Sequence, residues 1–378
     1  MRNAHSRTGD WAQDAHESSW LQSEGAIVTS PNVFYVANQH VQQLFVDGGG
    51  NWANQDLTAI TNGPSTPPTI ELGGFTDSYG AHVLYVPFDQ HVHQLYFNHG
   101  NWVDQDLTAI THGPTMPIAG ATAAFADGYG EHILYRASDE HVHQLYFNGN
   151  WVDQDLTAIT HAATVYPGSA VAAFADGYGE HVLYGASDQH VHQLYFNHPN
   201  WADQDLTAMT QGPASPAGGA GMTAFADGYG EHVFYVASDQ HVHQLYFNHP
   251  NWVDQDLTAI THGPTAPAGS RLAAFADGYG EHVLYGASDQ HVHQLYFHHP
   301  NWVDQDLTAI THGPTAEPGG SVATFADDAG EHVFYIPWDE HVHQLWFKAP
   351  NWVDYDMTAL SNGLSTSPGI GIVGFSAG

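Results

Sequence analysis

Residues 90–108 read QHVHQLYFNHGNWVDQDLT, and close copies of this stretch occur seven times along the 378-residue chain. It contains two phrases, Gln/Glu-His-Val-His/Gln-Gln-Leu and Asn-Trp-x-x-x-Asp-Leu/Met-Thr, which keep their order in every copy. The tryptophan of the second phrase recurs every 49 to 51 residues. Self-similarity at such a period is typical of an array of one supersecondary unit. The seven tryptophans are Trp52, Trp102, Trp151, Trp201, Trp252, Trp302 and Trp352.

Each copy predicts four short β-strands. In the second copy we expect strands over residues 74–77, 82–86, 91–97 and 102–108, separated by segments rich in Gly, Pro, Asn and Asp. On the third strand His91, His93 and Leu95 share one face, and Val92 and Gln94 share the other. Helical periodicity is not convincing at any length. Four strands in about 40–50 residues, repeated four to eight times, are typical of a β-propeller.

The two ends of the chain predict how the ring closes. Residues 372–376 repeat the wording of a first strand, and residues 26–29 are a weaker copy. We expect the C-terminal strand to pair beside residues 33–36, because that leaves no sheet edge exposed. The sequence therefore predicts an all-β, seven-bladed β-propeller over residues 26–378, with four antiparallel strands per blade, closed by the C-terminal strand. Residues 1–25 would form an N-terminal arm, which could contact another copy in a homo-oligomer.

Composition and charge restrict the partners. Forty Asp and Glu face five Lys and Arg, which gives a formal net charge of −35. A field of this sign repels phosphate groups, so neither nucleic acid nor an anionic membrane is an expected partner. No apolar run is long enough for membrane insertion, and the first 20 residues carry no secretory signal. We therefore expect a soluble protein, cytoplasmic or released by a non-classical route.

The repetition also bears on function. A catalytic site on a propeller is normally single and built from unlike residues, whereas identical units favour multivalent binding. Asp104 and Asp106 could be paired as glycosidase acids, but their recurrence in the other copies favours a structural role. We expect a binding protein that is not an enzyme and needs no cofactor. A protein-interaction scaffold and a glycosidase are the alternatives.

Aromatic and imidazole side chains have competing interpretations. Each tryptophan of the repeat either packs between blades or stacks on the C–H face of a sugar. Tyr129 and its copies lie in Gly-flanked turns, where exposure or turn packing is equally expected. His91 and His93, with Asp89 nearby, form the strongest metal-like motif. Because the motif recurs in every copy and Gln42 replaces one histidine in the first, we expect hydrogen bonding between blades and assign no metal.

The wording His-Val-His-Gln-Leu-Tyr-Phe followed by Asn-Trp-x-x-Gln-Asp-Leu-Thr-Ala resembles the seven-bladed propeller lectins of the Photorhabdus lectin family over residues 26–378. The resemblance implies calcium-independent binding of fucose or O-methylated sugars in pockets between adjacent blades, often by an oligomer. The expected partners are therefore glycans.

Six-bladed fucose-binding propeller lectins suggest which residues would form such pockets. There an Arg that opens the second strand and a Glu on the third clasp the sugar, and a Trp that opens the fourth strand of the next blade stacks on it. In this chain the Arg position is held by His82, His132, His181, His232, His282 and His332. The Glu position is held by Gln94, Gln144, Gln193, Gln244, Gln294 and Gln344, and the seven repeat tryptophans hold the stacking position. A His–Gln pair offers weaker and more pH-sensitive hydrogen bonds than Arg–Glu. The first copy has Asn32 and Gln43, which predicts an altered or lost pocket.

Overall fold

The computed structural model describes residues 31–68, 70–118, 120–216 and 221–376, which form seven four-stranded antiparallel sheets. The first strands of neighbouring sheets contact one another around a closed ring. They therefore line the axis, and the fourth strands lie outermost. The predicted seven-bladed β-propeller with four antiparallel strands per blade is confirmed. None of the helices in the described ranges has the length and apolar character that a membrane crossing requires.

The strands take the same four places in every blade. First strands are β4 Gly73–Thr76, β8 Thr122–Ala126, β12 Val171–Ala175, β16 Met222–Ala226, β20 Leu272–Ala276, β24 Val322–Asp327 and β28 Ile372–Ser376. Second strands are β1 Pro31–Ala37, β5 Ala81–Tyr85, β9 Glu131–Arg136, β13 Glu180–Gly185, β17 Glu231–Val236, β21 Glu281–Gly286 and β25 Gly330–Tyr335. Third strands are β2 His40–Val46, β6 His93–Asn98, β10 Val142–Phe147, β14 Val191–Asn197, β18 Val242–Asn248, β22 Val292–His298 and β26 His343–Lys348. Fourth strands are β3 Trp52–Asp56, β7 Asn101–Asp106, β11 Trp151–Asp155, β15 Asn200–Asp205, β19 Asn251–Asp256, β23 Asn301–Asp306 and β27 Asn351–Asp356. Blade 1 contains β28, β1, β2 and β3, and blades 2 to 7 follow in chain order.

The C-terminal strand closes the ring. Strand β28 pairs antiparallel with β1, with Tyr35 opposite Ile372 and Pro31 opposite Ser376. The predicted closure beside residues 33–36 is therefore confirmed. The weaker N-terminal copy at residues 26–29 and the predicted arm at 1–25 lie outside the described residues.

The core lies between the blades. All five residues of β5 are buried, because each second strand is covered on both faces by neighbouring blades. The Tyr85 hydroxyl donates to Asp104 Oδ1 at 2.7 Å, so the buried phenol keeps a partner. Equivalent tyrosines fill the same place in every blade. They are Tyr35, Tyr85, Tyr135, Tyr184, Tyr235, Tyr285 and Tyr335.

The fourth strand ends earlier than expected. The sequence predicts a strand over residues 102–108, but β7 ends at Asp106 and a single helical turn follows. The Asp106 carboxylate accepts a hydrogen bond from the Ala109 N–H at 2.8 Å and so caps this turn. Five residues are too few to show a helical period, so the sequence pattern missed the turns. They are α1 Leu57–Thr61, α2 Leu107–Thr111, α3 Leu156–Thr160, α4 Leu206–Thr210, α5 Leu257–Thr261, α6 Leu307–Thr311 and α7 Met357–Ser361.

Two glycines of one turn should respond very differently to substitution. Gly130 has a φ of +148°, and a Cβ there would lie 1.9 Å from the Phe147 carbonyl oxygen, whereas a Cβ at Gly128 would meet nothing within 4 Å. We expect Gly130→Ala to reduce the free energy of unfolding by about 2 kcal/mol or more, because the two strands must separate. The matched change Gly128→Ala should alter it by less than about 0.5 kcal/mol. Thermal unfolding of both variants measures the difference, and equal losses would contradict the expected steric conflict.

Candidate functional site

A pocket of about 610 Å³ lies between blades 5 and 6. It opens at the rim that carries the turns between first and second strands and between third and fourth strands. Its size is that of a small-molecule site. Blade 5 contributes Asp227, Tyr229, His232, Gln244, Tyr246, Phe247, Asn248 and Gln255, and blade 6 contributes Asp277, Gly278, Tyr279, Gly280, Glu281, Phe297, His299 and Trp302.

The floor of the pocket is a continuous chain of polar groups. His232 Nε2 lies 3.1 Å from Asp227 Oδ1, so the carboxylate fixes the orientation of the ring. The Gln244 amide nitrogen lies 2.9 Å from His232 Nδ1 and donates to Glu281 Oε2 at 2.6 Å. His232, Gln244 and Glu281 are at most 9% exposed. The floor therefore joins blade 5 to blade 6 and places an acid, an amide and an imidazole side by side.

The same floor recurs at five of the seven interfaces between blades. In each, the glutamine of one blade bonds the histidine of its own blade and a glutamate near the start of the second strand of the next. The five sets are His82–Gln94–Glu131, His132–Gln144–Glu180, His181–Gln193–Glu231, His232–Gln244–Glu281 and His282–Gln294–Glu331.

The two interfaces of blade 1 depart from this pattern. His332 and Gln344 of blade 7 bond each other, but the next blade offers Pro31 where blades 3 to 7 have glutamate. On the other side of blade 1, Gln43 bonds Asn32, and blade 2 offers Ala81. The sequence predicted the alteration at Asn32 and Gln43, but not the loss of the acid at both interfaces.

The residues predicted from the sequence are brought together in part. All six predicted His–Gln pairs are hydrogen bonded, and His232, Gln244 and Trp302 line one pocket. The sequence reasoning missed the glutamates of the floor. The tripeptide Gly-Glu-His could have identified them, because it occurs at the start of the second strand in units three to seven and is missing from units one and two.

The repeat tryptophans contact apolar residues between the blades. Trp302 is 8% exposed, and its ring lies 6.2 Å from Phe234 of blade 5 and 5.5 Å from Phe297 of blade 6. Tyr229 and Tyr279 instead stand at the rim of the pocket, 90% and 71% exposed. The accessible aromatic surface at the pocket therefore belongs mainly to tyrosines. All seven tryptophans lie in the apolar clusters between blades: Trp52, Trp102, Trp151, Trp201, Trp252, Trp302 and Trp352.

Burial and the neighbouring carboxylates have opposite effects on the pKa of the floor histidines. Burial opposes protonation of His132, His181 and His232, but a glutamate oxygen 3.1–3.2 Å away and the aspartate on the other ring nitrogen together outweigh it and raise the pKa of each. At the next interface the corresponding atoms are 3.5 Å apart. There burial prevails, so it lowers the pKa of His282 and raises the pKa of Glu331 to about 7.

Stability should depend on pH through these pairs. A histidine whose pKa is higher in the folded state stabilises the fold below its unfolded pKa of about 6.5, and this contribution is lost as pH rises through the folded pKa. We expect the triple change of Glu180, Glu231 and Glu281 to Gln to lower the pKa of His132, His181 and His232. Between about pH 6 and 8 the unfolding temperature of the variant should then fall less than that of the parent. Parallel slopes in thermal melts would contradict the coupling.

The residues best suited to hold a metal lie at the opposite rim. In blade 2, Asp89, His91, His93 and Asp106 place one potential ligand atom each within 4.8 Å of one another. Asp89 lies in the turn between the second and third strands, the two histidines follow it, and Asp106 ends the fourth strand. They therefore share no residue with the pocket floor.

Comparison with known proteins gives structural relatives only. No protein-family profile matches the chain, and no curated protein sequence matches it. Among solved structures, it is similar to the Aleuria aurantia lectin in complex with α-methyl-L-fucoside, with a TM-score of 0.53 and 13% identity over 80% of this chain and 97% of that one. It is also similar to the lectin SapL1 in complex with α-methyl fucoside, with a TM-score of 0.56 and 16% identity over 80% and 98% of the two chains. AofleA from Arthrobotrys oligospora gives a TM-score of 0.56 and 14% identity over 82% and 89%.

These similarities establish the fold. The Aleuria aurantia lectin is a six-bladed β-propeller, and nearly its whole chain aligns with about four fifths of this one. The uncovered part fits a seventh blade in the ring described above. The structural neighbours are thus fucose-binding β-propeller lectins, and the chain is a β-propeller of that general architecture.

Proposed function

We propose that this chain is a multivalent carbohydrate-binding protein, a lectin without catalytic activity, which binds sugars in the pockets between adjacent blades. The observation that carries the proposal is the His–Gln–Glu floor beneath exposed tyrosines, repeated at five interfaces. A sugar presents hydroxyl groups, which need paired donors and acceptors, and a C–H face, which suits an aromatic ring. The pocket offers both.

Fucose or an O-methylated sugar is the ligand class we infer. The structural neighbours include lectins solved with fucosides, and the repeat wording resembles the Photorhabdus lectin family, to which we assign the chain as part of this proposal. In the six-bladed fucose-binding lectins a carboxylate comes from the third strand, where this chain has Gln244 and its copies. Glu281 and its copies restore a carboxylate from the neighbouring blade. The acid would accept hydrogen bonds from vicinal hydroxyls of the sugar, and the amide would donate hydrogen bonds to them.

The repeated floor predicts the number of sugar sites. Five interfaces carry the complete His–Gln–Glu set, and the two interfaces of blade 1 do not. Several weak sites on one ring gain affinity for a dense glycan surface through effective concentration. We propose that these five pockets bind sugar. The seven tryptophans would support these pockets from beneath or from the side.

Binding to a glycan array followed by calorimetry tests the proposal. We expect signals on fucosylated or O-methylated glycans and a stoichiometry of about five α-methyl fucosides per chain. Hydrolysis of aryl glycosides should stay at the background rate. An array without a sugar signal, together with no heat at millimolar fucoside, would reject the proposal.

A protein-interaction scaffold is the second candidate, favoured by an apolar ring on the opposite rim. One large apolar side chain of each short helix is 47–55% exposed: Ile60, Ile110, Ile159, Met209, Ile260, Ile310 and Leu360. Apolar surface of this extent often marks an interface. If the scaffold is the principal function, a partner protein should bind with unchanged affinity in excess free fucoside. Displacement of every partner by the sugar would favour the lectin.

A further inference from the structure

A cluster of two histidines and two aspartates sits at the rim opposite the pockets in blade 2. His91 Nδ1 lies 2.8 Å from Asp106 Oδ2. His93 Nε2 lies 3.4 Å from Asp89 Oδ2 and 3.7 Å from Asp106 Oδ2. Two nitrogen and two oxygen atoms therefore converge on one small volume. The side chains of Asp89 and His91 are 43% and 31% exposed, so solvent reaches the cluster.

Backbone N–H groups orient both carboxylates of this cluster. Asp89 Oδ1 accepts a hydrogen bond from the His91 backbone N–H at 3.0 Å. Asp106 Oδ1 accepts one from the Ala109 backbone N–H at 2.8 Å. The remaining oxygen of each carboxylate, Oδ2, is the one that faces the cluster. Backbone contacts thus fix the direction of two negatively charged ligands before any ion arrives.

His93 is oriented in the manner of a metal-ligating histidine. Its Nδ1 lies 3.0 Å from Asp104 Oδ2, and Asp104 Oδ1 accepts a hydrogen bond from the Tyr85 hydroxyl. A carboxylate on one ring nitrogen directs the lone pair of the other nitrogen outward, as in carboxylate–histidine–metal triads. Here the other nitrogen, His93 Nε2, points between Asp89 and Asp106.

The buried His93 Nε2 is the second, independent sign of a ligand. His93 is 4% exposed, and its Nε2 has no hydrogen-bond partner among the described residues. A buried nitrogen without a partner is costly. A cation between this nitrogen and the two carboxylates would supply the missing partner.

Blade 1 shows that the fold does not require the cluster. Asn38, Gln42 and Asn54 stand in blade 1 where blade 2 has Asp89, His93 and Asp104. Blade 1 nevertheless keeps the same four strands and its capped helical turn. All three polar positions differ between blade 1 and blade 2, although the two blades have the same strand pairing and the same N-cap. The acids and the histidine therefore form a unit separate from the architecture.

We propose that the cluster of blade 2 binds a divalent transition metal of the Zn²⁺ type, and that the matching clusters of blades 3 to 7 bind up to five more. In those five blades the corresponding histidine Nε2 already lies 3.1–3.4 Å from an aspartate Oδ2, a contact that the ion would replace. Two imidazoles and two carboxylates fit the tetrahedral N/O coordination of Zn²⁺, and imidazole disfavours Ca²⁺ and Mg²⁺. Each ion would fasten the turn between the second and third strands to the end of the fourth strand. The other five clusters are Asp139–His141–His143–Asp155, Asp188–His190–His192–Asp205, Asp239–His241–His243–Asp256, Asp289–His291–His293–Asp306 and Asp339–His341–His343–Asp356.

Equilibrium dialysis of the EDTA-treated full chain against Zn²⁺, followed by elemental analysis, tests the proposal. We expect about six Zn²⁺ per chain and almost no Ca²⁺ under the same conditions. Co²⁺ should give the visible d–d absorption of a tetrahedral site. Fewer than one Zn²⁺ per chain at micromolar free metal would overturn the proposal.

Substitutions taken from blade 1 make the test specific. His93→Gln introduces the residue that blade 1 carries at Gln42, and it should remove one equivalent of Zn²⁺. The same change in all six blades should remove nearly all of it. His99→Asn alters an exposed histidine at the other rim and should remove none. Zn²⁺ binding that survives the sixfold change would overturn the proposal. If that variant does not fold, single Asp89→Asn and His93→Gln variants decide by whether each loses one equivalent.

Discussion

Deletion of residues 372–378 is expected to cost the protein at least about 5 kcal/mol of its free energy of unfolding. The deletion removes β28 and with it five paired positions along β1, at roughly 1 kcal/mol per net hydrogen bond. It also removes the buried side chain of Ile372 and the packing of Phe375 on Phe34, whose ring centroids are 5.3 Å apart. A fully buried aliphatic side chain contributes about 2 kcal/mol. The loss approaches the total stability of many domains.

Thermal unfolding and gel filtration measure this effect. We expect the unfolding temperature to fall by more than about 10 °C, and the exposed edge of β1 to promote association. Deletion of residues 377–378 alone, which leaves β28 in place, is the control and should have little effect. A deletion of 372–378 that melts like the full chain would contradict the closure of the ring by β28.

Replacement of the five floor glutamates by glutamine is expected to abolish most multivalent binding to glycans. The change keeps the size and one acceptor oxygen of each side chain, so the floor should remain folded. It removes the negative charge, and charge-assisted hydrogen bonds are about twice as strong as neutral ones. We expect affinity per site to fall about tenfold, which follows from a loss of about 1.4 kcal/mol. On a dense surface the losses combine across sites, so avidity should fall by about a hundredfold or more. The glutamates are Glu131, Glu180, Glu231, Glu281 and Glu331.

Surface binding to immobilised fucosylated glycans, with soluble α-methyl fucoside titrated in parallel, measures the two losses separately. The matched control changes Glu140 and Glu340 to glutamine, because these acids lie in turns at the opposite rim. The control should bind as the parent does. Unchanged binding by the fivefold variant would remove the glutamates from the sugar site and leave the tyrosine rim as the remaining candidate.

Much of the architecture could be read from the chain alone. The period of the Trp52 to Trp352 series gave the number of blades, and the strand-like wording of residues 372–376 gave the closure. Both features rest on local sequence patterns, and packing between distant residues changes such patterns little. The short helical turns were missed, because Leu107–Thr111 spans little more than one turn. Their presence depends on the Asp106 cap, a contact between a side chain and a backbone N–H.

Only some of the site residues could be predicted from the sequence. The resemblance to the six-bladed fucose-binding lectins implied that His232 and Gln244 share one pocket, and the two are hydrogen bonded. Glu281 lies 37 residues further on and reaches the same floor only because blade 6 packs against blade 5. Strand direction determines at which rim of the ring a side chain lies, so the Asp89 cluster and the pockets lie at opposite rims. How deeply a side chain is buried follows from the neighbouring blade.

The sequence by itself determined the repeat, the seven blades and the closing strand, because each rests on a local pattern. Only the tertiary structure decided that the tryptophans pack, that Glu281 and its copies complete five floors, and that His93 Nε2 faces two carboxylates. The physical reason is that these features are made at contacts between blades or between the ends of different strands. Their partners and distances exist only after the ring has formed.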